Sequence, residues 1–200
     1  MHQPVLLSEA LDALAIRPDG LYVDGTFGRG GHSRAILERL GERGRLIALD
    51  RDPEAARAAG EIEDTRFSFV RAAFSSLSTV LGAQRADGML FDLGVSSPQL
   101  DEAARGFSFQ AEGPLDMRME RAGKSAADLV NELAERPLAD LIFTFGEEKK
   151  ARRVAKAIVA ARALAPISTT QRLAEIVRRA IGPAHDRIDP ATRTFQALRI

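Results

Sequence analysis

Short apolar runs alternate with helical repeats through the first half of the chain. The predicted strands are 21–24, 45–50, 66–70 and 87–94. Between them, apolar residues recur at helical spacing in 33–40, 52–60 and 74–82. Strands and helices that alternate in this way predict parallel strands joined by helical crossovers. The expected fold class is therefore α/β, with a doubly wound and mostly parallel sheet.

The second half of the chain has a different pattern. Turn-forming residues fill 95–124, which is predicted to be a long loop, and no strand is predicted after residue 94. Helical patterns follow in 125–136, 137–145, 147–164, 168–182 and 190–200. Four strands followed by helices alone make an unfinished sheet. We therefore expect the chain to be a truncated piece, or its sheet to be completed by something else.

Composition excludes several classes of protein and divides the chain by charge. There is no cysteine and there are three histidines, which excludes disulfides and thiolate metal sites and predicts no metal site. The N-terminus lacks the pattern of a signal peptide and no stretch is apolar enough to span a membrane, so a cytoplasmic location is expected. Residues 1–104 carry 11 basic and 16 acidic side chains, and residues 105–200 carry 17 and 12. The basic half could face an anion such as nucleic acid, or could be a solvated helical surface.

A glycine-rich loop, VDGTFGRGGHSR, follows the first predicted strand. It holds Gly25, Gly28, Gly30 and Gly31. In an open α/β sheet, ligands bind at this point, and glycines let the backbone approach them closely. Asp50 ends the second predicted strand, where an acid can accept hydrogen bonds from ribose hydroxyls. The loop therefore predicts a site for a ligand that contains a nucleoside.

Three classes of cofactor compete for this loop. A phosphate-binding P-loop is excluded, because His32 and Ser33 stand where Lys and Ser or Thr are required. A dinucleotide fingerprint would use Gly28, Gly30 and Ser33, which is an imperfect match and leaves an NAD-linked oxidoreductase as an alternative. S-adenosylmethionine is favoured, because Asp24 could pair with its ammonium group but would repel a pyrophosphate.

The stretch FDLGVSSPQL at 91–100 contains the end of the fourth predicted strand and the turn after it. With this motif, the chain resembles the bacterial ribosomal RNA small subunit methyltransferase H family, which methylates the exocyclic N4 amine of a cytidine in the decoding region. The matching stretches run in order through the chain, at 2–11, 24–37, 49–53, 91–101, 105–109, 113–119, 145–159 and 191–200. They cover the chain from end to end, and several are long enough to be specific.

The resemblance implies a Rossmann-like class I methyltransferase sheet with an all-helical domain inserted after the fourth strand. Residues 1–104 would form the cofactor-binding core, 105–189 an RNA-recognition domain, and 190–200 a helix returning to the core. The family uses S-adenosyl-L-methionine, and its cofactor positions fall here on Gly30, Gly31, His32, Asp50, Phe74, Asp92 and Gln99. The pattern of the glycine-rich loop adds Asp24 and Gly28 to these candidate cofactor-binding residues. Family chains continue beyond the equivalent of Ile200 with more strands.

Methyl transfer to a cytosine amine needs acceptors that restore lone-pair character to its nitrogen. Asp92 and the turn Ser96-Ser97-Pro98 are the candidates for this role, and the alternative is that the two serines only shape a turn. Phosphate contacts are expected from the basic helical segment, at Arg152, Arg153, Lys156 and Arg162. The expected partner is small-subunit ribosomal RNA or the assembled small subunit, with no membrane partner and with a homodimer left open. A non-catalytic RNA-binding module is the second alternative.

Overall fold

A computed structural model describes residues 4–183 and 188–199, with Ser97 and Pro98 described by their backbone alone. His2 and His185 lie outside the described residues. The chain divides into two compact units, 1–94 and 95–200. This division falls before the boundary predicted after residue 104, and 190–200 belongs to the second unit. The functional roles predicted for these segments stay predictions.

The first unit alternates strands and helices. Its strands are β1 (Leu21–Asp24), β2 (Arg45–Asp50), β3 (Phe67–Arg71) and β4 (Gly88–Leu90). Its helices are α1 (Leu7–Leu14), α2 (Gly31–Arg39), α3 (Pro53–Ala59) and α4 (Leu77–Leu81), with a 3₁₀ turn at Phe74–Ser76. Asp52 caps α3 by accepting a 2.9 Å hydrogen bond from the Glu54 N–H, and Pro53 takes the first helical position, where proline is well tolerated.

The four strands form one parallel sheet in the order β3-β2-β1-β4. Chain order therefore reverses between β1 and β4, and the loops after these two strands diverge at the ligand-binding edge of a doubly wound sheet. This topology confirms the predicted Rossmann-like α/β fold. The fourth strand is shorter than predicted, because β1 ends at Asp24 and the Gly25 N–H closes the ladder on the Leu90 carbonyl at 2.9 Å.

Helices cover both faces of this sheet. Tyr22 and Leu46 are buried on one face against Leu11 of α1 and Ile36 of α2. On the other face, Val23 and Leu49 pack with Leu81 of α4. Alternate residues of each strand thus belong to different cores, which is why the strands have continuous apolar sequences rather than an alternating pattern.

The second unit is helical in the residues that the structure describes between 95 and 199. Its helices are α5 (Ser97–Asp101), α6 (Ala126–Glu132), α7 (Glu135–Gly146), α8 (Ala151–Arg162), α9 (Thr170–Ile181) and α10 (Thr192–Arg199), with a 3₁₀ turn at Ala103–Arg105. Ser125 and Asp128 form a capping box at the start of α6. The helix predicted from residue 168 starts later, at Thr170, because the hydroxyl of Thr169 caps it by accepting from the Arg172 N–H.

The predicted loop 95–124 is partly helical and is tightly held. The helix α5 and the 3₁₀ turn occupy its first part, because Ser97-Pro98 suits a first helical turn although its composition resembles a loop. Further on, the Leu115 N–H bonds the Ser168 carbonyl at 2.9 Å and Phe107 is fully buried in the core of this unit. No helix among the described residues has the length and apolar character to span a bilayer.

Candidate functional site

The glycine loop between β1 and α2 is built around the carboxylate of Asp24. Its Oδ1 accepts a 3.1 Å hydrogen bond from the Thr26 N–H, and its Oδ2 accepts a 2.7 Å bond from the Ser33 hydroxyl. Asp24 is 1% exposed and Ser33 is fully buried. In this structure Asp24 thus holds the two ends of the loop together. Its predicted contact with a cofactor ammonium group stays a prediction.

Burial also changes the acidity of Asp24. Removal from water raises the pKa of its carboxyl above the ordinary 3.8, and the hydrogen bonds from Ser33 and Thr26 offset part of that rise. A nearby cation would favour the ionised form.

Asp50, the last residue of β2, lies beside the same loop. Its Oδ2 accepts a 2.8 Å hydrogen bond from the Gly28 N–H, and its Oδ1 accepts a 2.9 Å bond from the Asp52 N–H. The side chain is partly exposed, unlike that of Asp24. Each carboxylate oxygen has a second lone pair, so Asp50 can accept further hydrogen bonds from a ligand while it holds both loops.

Among the loop glycines, only Gly28 faces free space. It has a positive φ of 56°, and a Cβ built there would have only the Thr26 carbonyl within 4 Å, at 3.9 Å. A Cβ on Gly30 would lie 2.6 Å from Cζ of Phe27, and one on Gly31 or Gly25 would overlap Pro4 or Phe91. Packing therefore explains three of the glycines, and Gly28 is the one that leaves room for a ligand against the backbone.

His32 begins the first turn of α2 and is 8% exposed. Its Nε2 lies 3.2 Å from the carbonyl oxygen of Val5, so the ring ties α2 to the segment before α1. The side chain is thus used within the fold, and a cofactor contact at His32 stays a prediction.

The loop after β4 meets the glycine loop through Thr26. The Asp92 N–H donates a 2.7 Å hydrogen bond to the Thr26 hydroxyl, and the Asp92 side chain is exposed. Its carboxylate has no hydrogen bond to any described residue. Asp92 therefore presents a solvated acid at the carboxyl end of the sheet, beside the glycine loop.

Two exposed aromatic rings meet at this end of the first unit. Phe74 follows β3 and Phe91 follows β4, which are the two outer strands of the sheet. Their ring centroids lie 5.8 Å apart with an edge-to-face angle of 74°, and the residues are 50% and 40% exposed. This contact joins the segments that follow the two outer strands and provides an exposed apolar surface at the residue before Asp92.

Residues 95–100 of the FDLGVSSPQL motif belong to the second unit. Oε1 of Gln99 accepts a 2.9 Å hydrogen bond from the Ser96 N–H, which shapes the start of α5. Ser97 and Pro98 form the first residues of that helix. The hydrogen bond between Ser96 and Gln99 is a contact of the kind expected if this segment only shapes a turn. The catalytic roles of Ser96, Ser97 and Pro98 stay predictions.

The predicted phosphate contacts lie on α8. The side chains of Arg152, Arg153 and Lys156 are exposed and make no hydrogen bond or ion pair within 4–183 and 188–199. Arg162 differs, because its Nη1 donates a 2.7 Å hydrogen bond to the Val130 carbonyl and ties α8 to α6. The first three cations are available to an anion, whereas Arg162 has a packing role.

The sequence analysis missed Thr26 and Phe91 as contributors to this site, and it considered Ser33 only for a dinucleotide fingerprint. Thr26 joins two loops, Ser33 bonds Asp24, and Phe91 covers Gly25. The adjacency of Phe91 to the strand-end acid Asp92 was the available signal. No cluster of potential metal ligands occurs among the described residues.

Comparisons with known proteins agree with the motif resemblance. The family model described as the MraW methylase family matches residues 1–200. A protein named Ribosomal RNA small subunit methyltransferase H from Herminiimonas arsenicoxydans is 56% identical, over 100% of this chain and 64% of its own length. Proteins of the same name from Methylobacillus flagellatus and Burkholderia ambifaria are 55% and 54% identical over 100% of this chain, and over 64% and 66% of their own lengths. The chain thus spans less than two thirds of the length of these curated relatives.

Proposed function

Because the chain belongs to the MraW methylase family, we propose that it transfers a methyl group from S-adenosyl-L-methionine to the N4 amine of a cytidine in small-subunit ribosomal RNA. The name shared by its relatives specifies small-subunit ribosomal RNA. The choice of a cytidine amine rests on the FDLGVSSPQL motif and the stretches that accompany it.

The observation that carries this proposal is the free space at Gly28 next to the partly exposed carboxylate of Asp50. A nucleoside cofactor needs a bare backbone for close approach and an acid for its ribose hydroxyls. Gly28 meets the first need, and the second lone pairs of Asp50 meet the other. The exposed rings of Phe74 and Phe91 offer a surface for a purine. The residues present therefore fit S-adenosylmethionine.

Methyl transfer mainly requires that the protein align the cytosine amine with the bond between sulfur and methyl group. S-adenosylmethionine supplies a methyl group on a positively charged sulfur that departs as a neutral thioether. The lone pair of a cytosine amine is delocalised into the ring, so the enzyme must hold that amine in line and draw its hydrogens out of the ring plane. The exposed carboxylate of Asp92 is the acceptor that the described site offers for this role. No strong base is required, because the methylated ammonium loses its proton readily.

RNA binding is assigned to the basic face of α8. Arg152, Arg153 and Lys156 are exposed and unpaired within the described chain, as phosphate-binding cations must be. The target base must leave its stack for its amine to reach an acceptor such as Asp92, and phosphate contacts would hold the strand during that step.

Calorimetric titration with S-adenosylmethionine and, separately, with NAD tests the cofactor. Saturable binding of the methyl donor is expected, and binding of NAD alone would favour the oxidoreductase alternative. A methylation assay with labelled donor then uses naked small-subunit RNA and assembled small subunits, with the Herminiimonas relative as positive control. Asp92→Asn should reduce methyl incorporation, and weakened donor binding in the same variant would assign Asp92 to the cofactor site as well. RNA binding with cofactor bound but no methylation on either substrate would instead favour the non-catalytic RNA-binding module.

A further inference from the structure

A cavity in the second unit has chemistry that neither the proposed methyl transfer nor the basic face of α8 uses. Its volume is about 720 Å³, within the size range of small-molecule sites. Its walls include several polar side chains and one aromatic ring, from Phe109, Gln110, Gln171, Glu175, Arg178 and Asp189. Such a mixture of amides, acid, guanidinium and ring suits a flat, hydrogen-bonding ligand.

Arg178 is held as a flat platform at this cavity. Its Nε donates to both oxygens of Asp189 at 3.2 and 3.0 Å, and its Nη2 donates to Oδ2 of Asp189 at 2.8 Å. Its Cζ lies 5.4 Å from the centroid of the Phe109 ring. Phe109 in turn packs edge to face on the buried Phe195, with centroids 4.7 Å apart. These contacts fix the guanidinium plane, yet 42% of the Arg178 side chain remains exposed.

Charge decides which ligand this platform suits. Asp189 pairs with Arg178, the one cation among the described residues of the cavity wall, and Glu175 pairs with Arg172 at 3.5 Å, so the wall offers no unpaired positive charge. A phosphate is therefore disfavoured, in contrast to the face of α8. A planar, uncharged heterocycle can stack on a guanidinium, and amide and carboxylate groups bond the edges of such rings. The amides of Gln110 and Gln171 are exposed at the cavity and suited to this task.

We propose that this cavity binds one unstacked nucleobase of an RNA strand, stacked on Arg178 and bonded at its edge by Gln171 and Glu175. The inference rests on the proposed function, because that function makes RNA the partner. It adds a base-reading site to the phosphate contacts of α8. Single-stranded RNA should therefore bind more tightly than a duplex, in which the bases are stacked and paired.

Fluorescence anisotropy with labelled oligocytidine of about 12 nucleotides and with a duplex RNA of similar length measures this preference. Arg178→Lys keeps the charge but loses the planar face, and Gln171→Ala removes an exposed amide. Each variant should weaken single-strand binding about tenfold, as expected for the loss of one stacked or bonded base, and leave duplex binding unchanged. Gln196→Ala, at an exposed position of α10 outside the cavity, is the matched control and should bind like the parent.

The outcomes separate this inference from the function on which it rests. If the parent protein binds single-stranded RNA and both variants bind it equally well, the base site is wrong and the proposed function stands. If the parent binds the methyl donor but neither RNA, the RNA substrate itself is wrong, and the base site falls with it. Thermal unfolding of each variant shows whether it folds, and the exposed Gln171→Ala decides alone if Arg178→Lys does not.

Discussion

The backbone N–H of Gly28 donates a 2.8 Å hydrogen bond to Oδ2 of Asp50, which joins the glycine loop after β1 to the last residue of β2. Through its other oxygen, Asp50 also holds the Asp52 N–H at the start of α3. One carboxylate therefore organises two loops and has lone pairs left for a ligand. Its contribution to the fold and its contribution to binding can be separated by experiment.

Asp50→Asn should weaken the binding of S-adenosylmethionine by about tenfold or more. The amide keeps the size of the side chain, but it loses the charge and one acceptor, and a hydrogen bond to a charged group contributes about 1.5–3 kcal/mol. Isothermal titration calorimetry measures the affinity. Asp19→Asn, an exposed acid of the same unit paired with Arg43, is the control and should bind normally. Equal affinities for both variants would leave Asp50 with a role in loop structure only.

Gly28→Ala tests whether the free space at this glycine belongs to the ligand. Gly123 is the control, because it has a positive φ of 75° and nothing within 4 Å of a built Cβ. Either substitution should cost about 1–2 kcal/mol of unfolding free energy, since alanine is strained in the left-handed region. Only Gly28→Ala should also lose cofactor affinity, because its methyl group would fill the space beside Asp50. Chemical denaturation and calorimetry on both variants check the two effects, and a loss of affinity in neither would mean that the cofactor does not approach Gly28.

Asp24→Asn should change how stability depends on pH. Burial raises the pKa of Asp24 in the folded protein above the unfolded value near 3.8. Between the unfolded pKa and the raised folded pKa, the folded state binds more protons than the unfolded state. The free energy of unfolding therefore falls as pH rises through this range and levels off above the raised pKa. Asparagine does not titrate, and its amide can still bond Ser33 while its oxygen accepts from Thr26. The variant should lack this decline, which denaturation curves at a series of pH values would show. A decline of the same size in the variant would assign it to other groups.

The same variant separates the two roles suggested for Asp24. Asparagine preserves the loop contacts but removes the charge that would attract a cofactor ammonium group. Normal folding with weakened binding of S-adenosylmethionine would support the ionic role. Normal folding with unchanged binding would leave Asp24 as the residue that closes the loop.

The strands and the strand-end acids could be predicted from the sequence because their signal is local. Apolar runs that end in Asp24 and Asp50 are short, continuous and bounded by turns, so β1 and β2 fall where the pattern puts them. The end of β4 could not be predicted in this way, because it depends on where β1 stops pairing with it. Helix α5 was missed because its single turn has the composition of a loop.

The contacts that complete the candidate site are long-range and leave little trace in the sequence. Thr26 bonds the backbone of Asp92, and the rings of Phe74 and Phe91 meet although their strands lie at opposite edges of the sheet. Such pairs follow from topology and loop geometry, which periodicity does not encode. Residue types and strand ends could thus indicate the ligand class, while the organisation of the site required the fold.

Replacement of Arg152 and Arg153 by glutamine should weaken RNA binding with little dependence on sequence. Both side chains are exposed on α8 and have no partner in the described chain, so their charges are available to phosphates. Each phosphate contact to a single strand contributes about 0.7 to the slope of log affinity against log salt, so the double variant should lower that slope by roughly 1.4. Arg43→Gln with Arg57→Gln makes the same change in net charge at ion-paired positions of the first unit and should leave the slope unchanged. Equal slopes for both double variants would show that α8 is a solvated surface and that the phosphate contacts lie elsewhere.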